Sequence, residues 1–122
     1  MMTTTLLEND FRRGDIVLVP FPNSDRRTTK TRPVLVIQAN DLKTDLPQLV
    51  VAMITSRQFR ANHPSRVLIA KDSGEMMGSG LLTDSVIMTD NLATVRIEAI
   101  RRIIGHIKMS EVDNALRRTL AL

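Results

Sequence analysis

Three short apolar runs constrain the fold of this chain more than any other feature of its sequence. They are DIVLVPF at residues 15–21, PVLVIQ at 33–38 and LVVAMI at 49–54. Each run is rich in β-branched residues and is shorter than a typical core helix. Strands that are buried on both faces have continuous apolar sequences of this kind. The runs therefore predict a β-rich core whose first strands have no solvent-facing side.

The later part of the chain predicts four more strands. They are RVLIA at 66–70, a hairpin of 85–89 and 92–97 around a tight Asp90-Asn91 turn, and RRIIGHI at 101–107. The polar segments between the runs, including NSDRRTTKTR at 23–32, are expected to be loops. Pro20 and Pro22 are expected to end the pairing of the first strand, because proline cannot donate to a ladder.

The C-terminal segment has the features of an amphipathic helix. Ser110 is a good N-cap, Glu111 and Asp113 suit the first turn, and Arg117 and Arg118 suit the last. A single domain is expected to span residues 1–122, with residues 1–10 as its loose N-terminal tail. Several short strands closed by one helix predict a small β-barrel or sandwich.

The composition of the chain excludes some classes of site. Cysteine is absent, which rules out disulfides, thiolate zinc sites and cysteine nucleophiles. Arginine supplies 13 of the 17 basic residues, against 13 acidic ones. Because guanidinium groups hold phosphate through two parallel hydrogen bonds, this bias favours nucleic acid, although a solvated basic surface would give the same composition. With three phenylalanines and no Tyr or Trp, RNA binding would depend mainly on phosphate contacts.

The start of the chain has neither the basic region nor the apolar run of a signal peptide. No segment approaches the roughly 20 apolar residues that a membrane span requires. We therefore expect a cytoplasmic protein without a membrane partner.

An ordered set of motifs resembles the opening, middle and end of MazF/PemK toxins. The motifs are GDIVLV at 14–19, RPVLVI at 32–37, VVAMITS at 50–56, GL at 80–81, DSVIM at 84–88, DNL at 90–92 and IGHI at 104–107. The resemblance covers residues 12–121. No single motif decides it, but their order along the chain is fairly specific.

The resemblance implies an SH3-like barrel of the CcdB/PemK kind with a C-terminal α-helix, and a homodimer. It implies an endoribonuclease that cleaves single-stranded mRNA sequence-specifically, without a metal or other cofactor. Attack by the 2′-hydroxyl would give a 2′,3′-cyclic phosphate and a 5′-hydroxyl. It also implies a cognate antitoxin whose acidic, largely disordered tail covers the RNA-binding groove. The RNA sequence that is cut does not follow from the resemblance.

Two residues match catalytic positions of the family. Arg32 stands where a charged loop meets a buried strand, and its guanidinium is suited to holding the scissile phosphate. Thr55 ends an apolar strand, where its hydroxyl could donate to a phosphate oxygen. The alternatives are a structural arginine at a strand edge and a threonine that hydrogen-bonds its own loop.

The loop before Arg32 departs from better-known members of the family, because the acidic residue that some of them place there is missing. Asp25 is nearby but is expected to cap the turn, so the general base is not identified. The remaining candidate RNA contacts are Arg26, Arg27, Lys30, Ser56 and Arg57. A plain solvated loop is the alternative for its basic residues.

His63 and His106 form no metal or triad pattern, and a structural role is expected for His106. Three rival functions remain open. A CcdB-like toxin binds gyrase without a reaction, but its action depends on a C-terminal Trp, and this chain has none. A catalytically inactive PemK-like binding protein and an unrelated β-barrel interaction module are the others.

Overall fold

The computed structural model describes residues 6–122, which form one antiparallel sheet and a C-terminal helix. The elements are β1 (Asp15–Pro22), β2 (Thr29–Val36), β3 (Gln48–Thr55), β4 (Arg66–Ile69), β5 (Ser85–Arg96), β6 (Arg102–His106) and α1 (Ser110–Leu120). The strand order across the sheet is β4-β5-β3-β2-β1-β6. The sheet curls into a half-barrel, which confirms the mainly β, SH3-like fold class with a C-terminal helix.

Side chains on both faces of the central strands are buried, as the apolar runs predict. On one face, Ile16, Leu35 and Ala52 pack in a cluster with Val112 and Leu116 of α1. Their neighbours along the strands point the other way, into a second cluster. That second cluster includes Val17, Val19, Val34, Val36, Val51 and Phe11. Burial of both faces by a single curled sheet explains why these strands lack alternating polar residues.

The prediction that prolines end the pairing of β1 is wrong. Pro20 lies opposite Thr31 and Pro22 opposite Thr29 in the ladder with β2. The Leu18 carbonyl accepts a hydrogen bond of 2.8 Å from the Arg101 amide, on the side away from β2. Pro20 and Pro22 are in phase with Leu18, so their nitrogens face the edge where no donor is required.

Strand β2 begins earlier than predicted, and Arg32 lies within it, opposite Val19. The connecting loop shortens to residues 23–28, closed by a hydrogen bond of 2.9 Å from the Asn23 amide to the Thr28 carbonyl. Asp25 caps this turn, as predicted, by accepting hydrogen bonds from the Arg27 and Thr28 amides. These hydrogen bonds lower the pKa of the Asp25 carboxyl below its ordinary value, and the one from the Arg27 amide has the largest effect.

The predicted hairpin around Asp90-Asn91 is also wrong, because one continuous strand, β5, spans both halves. A two-residue hairpin turn of this type needs a positive φ at both central residues, which neither residue has. The β3 partner shifts instead, from Leu92 opposite Ala52 to Met88 opposite Met53. A bulge therefore absorbs the residues that sequence reasoning assigned to a turn.

Two predictions at the chain ends need correction. Met109, not Ser110, is the N-cap of α1, and it makes no side-chain cap hydrogen bond. The loose tail falls partly on residues 1–5, which lie outside the described residues. Glu8–Asp10 form a 3₁₀-helix, and the Glu8 carboxylate accepts hydrogen bonds from Gln38 and Thr44. No helix in the described chain is long and apolar enough to cross a membrane.

Candidate functional site

The register of the sheet brings Arg32 and Thr55 to the same place. The β2–β3 ladder pairs Val34 with Met53 as its last pair. Two residues further along each strand, the same register sets Arg32 opposite Thr55, and residues opposite one another lie on one face of a sheet. Since the pairing has ended by then, β2 and β3 diverge, and a cleft opens between their ends.

This cleft has a volume of about 800 Å³. Its floor is apolar, and its other walls come from the segment before β5 and from β6. The lining residues are Leu18, Lys30, Thr31, Arg32, Pro33, Ile54, Thr55, Ser56, Arg57, Gly80, Leu81, Leu82, Thr83, Ser85, Arg102 and Ile104. Both predicted catalytic residues and three of the five predicted RNA contacts therefore share one cleft.

The cleft carries a concentrated positive charge. Lys30, Arg32, Arg57 and Arg102 line it, and no Asp, Glu or His among the described residues does. None of the four takes part in an ion pair within residues 6–122. Four cations without a counter-charge attract an anion, and guanidinium groups suit phosphate in particular.

Arg102 is the cleft cation that sequence reasoning missed. It lies opposite Leu18 in the β1–β6 ladder, and Leu18 lines the cleft floor. Arg102 and Ile104 both line the cleft, and their position in a predicted strand was visible in the sequence. The sequence does not show that β6 borders the cleft that contains Arg32.

The structure shows one of the two roles considered for Thr55, a hydrogen bond to its own loop. Its Oγ1 accepts a hydrogen bond of 3.2 Å from the Arg57 amide, which fixes the first turn of the following loop. A hydroxyl has one proton to donate besides the lone pairs that accept. The loop bond therefore orients Thr55 while its proton stays available to a ligand in the cleft.

One wall of the cleft depends on a very close passage of backbone over β6. A Cβ on Gly105 would meet the backbone of Ser79 at 2.2 Å, and a Cβ on Gly80 would meet the Ile104 carbonyl at 2.2 Å. Gly80 also has a φ of +76°, which favours glycine. These two glycines let the 78–80 segment lie against β6, so that Leu81 and Leu82 reach the cleft.

Four residues of interest lie outside the cleft. Arg26 and Arg27 are exposed in the β1–β2 loop, and neither lines the cleft. His63 holds its own turn, with Nδ1 2.6 Å from the Ser65 Oγ, and His106 Nδ1 lies 3.0 Å from the buried Asp15 carboxylate. Both histidines are bound in local structure, as expected for His106. Within residues 6–122, no three His, Asp or Glu side chains are grouped so that they could hold a metal ion.

Comparison with known proteins agrees with this architecture. The model of the PemK-like, MazF-like toxin family of type II toxin–antitoxin systems matches residues 12–121. The chain belongs to this family. The matched range is the one over which the sequence motifs resemble MazF/PemK toxins, so the resemblance is confirmed.

Solved structures show that the family fold covers almost the whole chain. An endoribonuclease from a mycobacterial species is 17% identical, with a TM-score of 0.70, and 97% of each chain is covered. A mycobacterial endoribonuclease in complex with its cognate antitoxin is 18% identical, with a TM-score of 0.68, covering 91% of this chain and 95% of the other. MazE-MazF from Deinococcus radiodurans is 16% identical, with a TM-score of 0.67, covering 91% and 96%. At these identities the likeness establishes the fold of this PemK-like chain, and its activity has to be argued from the cleft.

Proposed function

We propose that this PemK-like chain is the toxin of a type II toxin–antitoxin pair and acts as a metal-independent, sequence-specific endoribonuclease on single-stranded mRNA. The observation that carries the proposal is the cleft that Arg32 and Thr55 both line, in which Arg32 is one of four cations that form no ion pair within residues 6–122. Relatives of the same fold are named endoribonucleases, which supports the same activity here.

The reaction that suits this cleft uses the substrate's own 2′-hydroxyl as nucleophile. The 2′-oxygen attacks the neighbouring phosphorus, and the bond from phosphorus to the 5′-oxygen breaks. The 2′-hydroxyl loses its proton, and the leaving 5′-oxygen gains one, to give a 2′,3′-cyclic phosphate and a 5′-hydroxyl. DNA lacks the 2′-hydroxyl and would not react.

In this proposal Arg32 neutralises the charge that grows on the phosphoryl oxygens. A guanidinium holds two of these oxygens with parallel hydrogen bonds, and an arginine keeps its charge at any ordinary pH. Thr55 donates its hydroxyl proton to a phosphoryl oxygen, and Ser56 is a second donor beside it. Donors fixed before the reaction are worth most in a site that excludes water.

The other cations would hold the strand on either side of the scissile phosphate. Lys30, Arg57 and Arg102 line the same cleft and can bind neighbouring phosphates. Arg26 and Arg27 would contact RNA only beyond the cleft, in the exposed loop. The same charge suits an acidic antitoxin tail, and relatives form complexes with antitoxins. A homodimer remains part of the proposal, and light scattering at micromolar concentration would test it.

One observation favours a second candidate, a PemK-like binding protein without catalytic activity. None of the cleft residues within the described chain is a carboxylate or a histidine, and these are the commonest general bases. Asp25 cannot fill this role, because it is bound to its own turn. The two candidates differ in whether RNA is cut after it binds.

Cleavage in the presence of EDTA separates these possibilities. We expect purified protein to cut a long RNA of mixed sequence at a small set of sites with EDTA present, and sequencing of the product ends would give the preferred site. Intact RNA would contradict the nuclease proposal and favour the binding protein. Equal cleavage by an Arg32→Ala variant would show that the activity does not come from this cleft.

A further inference from the structure

An exposed aromatic ring lies two residues after Arg57, a cleft residue, and has no role in the reaction described above. The side chain of Phe59 is 78% exposed, whereas Phe11 is 5% exposed and Phe21 is partly buried. The chain contains no other aromatic residue of the Phe, Tyr or Trp kind. Phe59 is therefore the one water-exposed phenyl ring, and it lies in the loop that follows the strand of Thr55.

The backbone that carries Phe59 is held in place. Residues Gln58–Arg60 form a 3₁₀-helix, closed by a hydrogen bond of 3.1 Å from the Arg60 amide to the Arg57 carbonyl. Arg66 donates from Nη1 to the Arg60 carbonyl at 3.2 Å, and its Nη2 lies 2.9 Å from a carboxylate oxygen of Asp90. The Arg66 hydrogen bond lowers the pKa of Asp90. This ion pair between β4 and β5 braces the backbone of the turn that carries the ring.

One face of the ring is already occupied by a cation. The Arg60 guanidinium carbon lies 5.7 Å from the centre of the Phe59 ring, within the range of a cation–π contact. Arg60 is itself placed by a contact of 3.8 Å from Nη1 to the Met88 sulfur. With one face covered in this way, the other face is available to a second flat group.

Phe59 follows the cleft closely along the chain. Arg57 lines the cleft and precedes Phe59 by two residues, so their Cα atoms are at most about 7.6 Å apart. A strand whose phosphate binds Arg57 would carry its base toward the loop. We propose that Phe59, backed by Arg60, is a stacking platform for a nucleobase that flanks the phosphate held in the cleft. This inference rests on the proposed function, because it takes RNA as the ligand.

The surroundings of Phe59 favour a nucleobase over a protein surface. The residues that precede it in the chain, Arg57 and Gln58, are polar and exposed, and the Arg60 guanidinium lies over the ring. Protein interfaces bury their aromatic anchors in a packed core from which water is excluded. Single-strand binding instead combines isolated stacking rings with cations that follow the backbone, which is the arrangement here.

The experiment compares Phe59→Ala, Phe59→Leu and Phe59→Trp, with Met77→Ala as a matched control. Met77 is another exposed apolar side chain, 83% exposed and outside the cleft lining. The probe is a 2′-O-methylated oligonucleotide of mixed sequence, which cannot be cleaved by 2′-hydroxyl attack. Affinity is measured by fluorescence anisotropy, and 2-aminopurine placed at successive positions reports stacking by loss of fluorescence.

We expect Phe59→Ala and Phe59→Leu to weaken binding by roughly tenfold, the loss of one stacked base. Phe59→Trp and Met77→Ala should bind as the wild type does. Quenching of 2-aminopurine at one position should be lost in Phe59→Ala and kept in Phe59→Trp, a signal that a merely structural role would not produce.

Three outcomes would overturn the platform. The first is unchanged affinity in Phe59→Ala, and the second is full recovery of affinity in Phe59→Leu. The third is a smaller mass of Phe59→Ala in light scattering, which would assign the ring to a contact between copies of the chain. Because the probe is not cleaved, these results are independent of the chemistry. A wild type that binds the probe but leaves ordinary RNA intact would refute the nuclease and leave the platform standing.

Discussion

Replacing Arg32 by alanine is expected to lower the rate of RNA cleavage by roughly 10²–10³-fold, the usual effect of removing one donor that stabilises transition-state charge. Arg32 lines the same cleft as Thr55, and its charge is not neutralised by an ion pair within the described chain. In the proposed reaction no other group holds two phosphoryl oxygens at once. The loss should appear mainly in the rate constant for cleavage of bound RNA, measured under single-turnover conditions.

The fold should survive this substitution. The Arg32 side chain is half-buried and lines an open cleft, so its removal leaves no closed cavity in the core. We expect the melting temperature to stay within a few degrees of the wild type. Arg32→Lys keeps the charge but not the two-point geometry and should recover only part of the rate.

Arg101→Ala is the matched control, because Arg101 is exposed and lies outside the cleft. It should cleave RNA as the wild type does. If Arg32→Ala unfolds at a much lower temperature, the arginine has a structural role at the strand edge. If Arg32→Ala keeps full activity when folded, its proposed role in the reaction is wrong.

Gly105→Ala is expected to be strongly destabilising, although it replaces only one hydrogen by a methyl group. The added carbon would lie 2.2 Å from backbone atoms of Ser79 and 2.3 Å from the Gly78 carbonyl, and backbone cannot yield as a flexible side chain can. Overpacking of this kind costs about 3 kcal/mol of unfolding free energy, at the upper end of its usual range. For a chain of this length that corresponds to a fall of roughly 10 °C in melting temperature.

The same substitution should also reduce cleavage at temperatures where the protein is still folded. Moving the 78–80 segment away from β6 displaces Leu81 and Leu82, which form a wall of the cleft. Gly74→Ala is the control, since a Cβ there meets nothing within 4 Å and the residue has no positive φ. Calorimetry of both variants measures the effect. Equal melting temperatures for the two variants would show that the 78–80 segment is not packed tightly against β6.

The parts of the fold that the sequence predicted are those set by side-chain burial. Continuous apolar runs gave β1, β2 and β3 because burial on both faces removes polar residues from a strand. The strand ends were less predictable. Thr29 belongs to β2 although its neighbours are polar, because pairing with β1 extends beyond the buried core. The Asp90-Asn91 pair has turn chemistry, but the ladder with β3 continues past it and overrides that preference.

The candidate site was predictable only in part for a related reason. Arg32 and Thr55 could be named from the family resemblance, but a slip of one residue in the β2–β3 register would have placed them on opposite faces. That register depends on long-range pairing, which no local pattern encodes. Arg102 belongs to β6, whose position beside the cleft follows from the order of strands in the sheet.

A substrate with one altered sugar tests the central claim most directly. Once the cut site is mapped, an RNA oligonucleotide is made with a single 2′-deoxy residue on the 5′ side of the scissile phosphate. It should bind with unchanged affinity and resist cleavage in EDTA, while the all-RNA oligonucleotide gives a 2′,3′-cyclic phosphate and a 5′-hydroxyl. Cleavage of the deoxy substrate at the same phosphate would contradict attack by the 2′-hydroxyl.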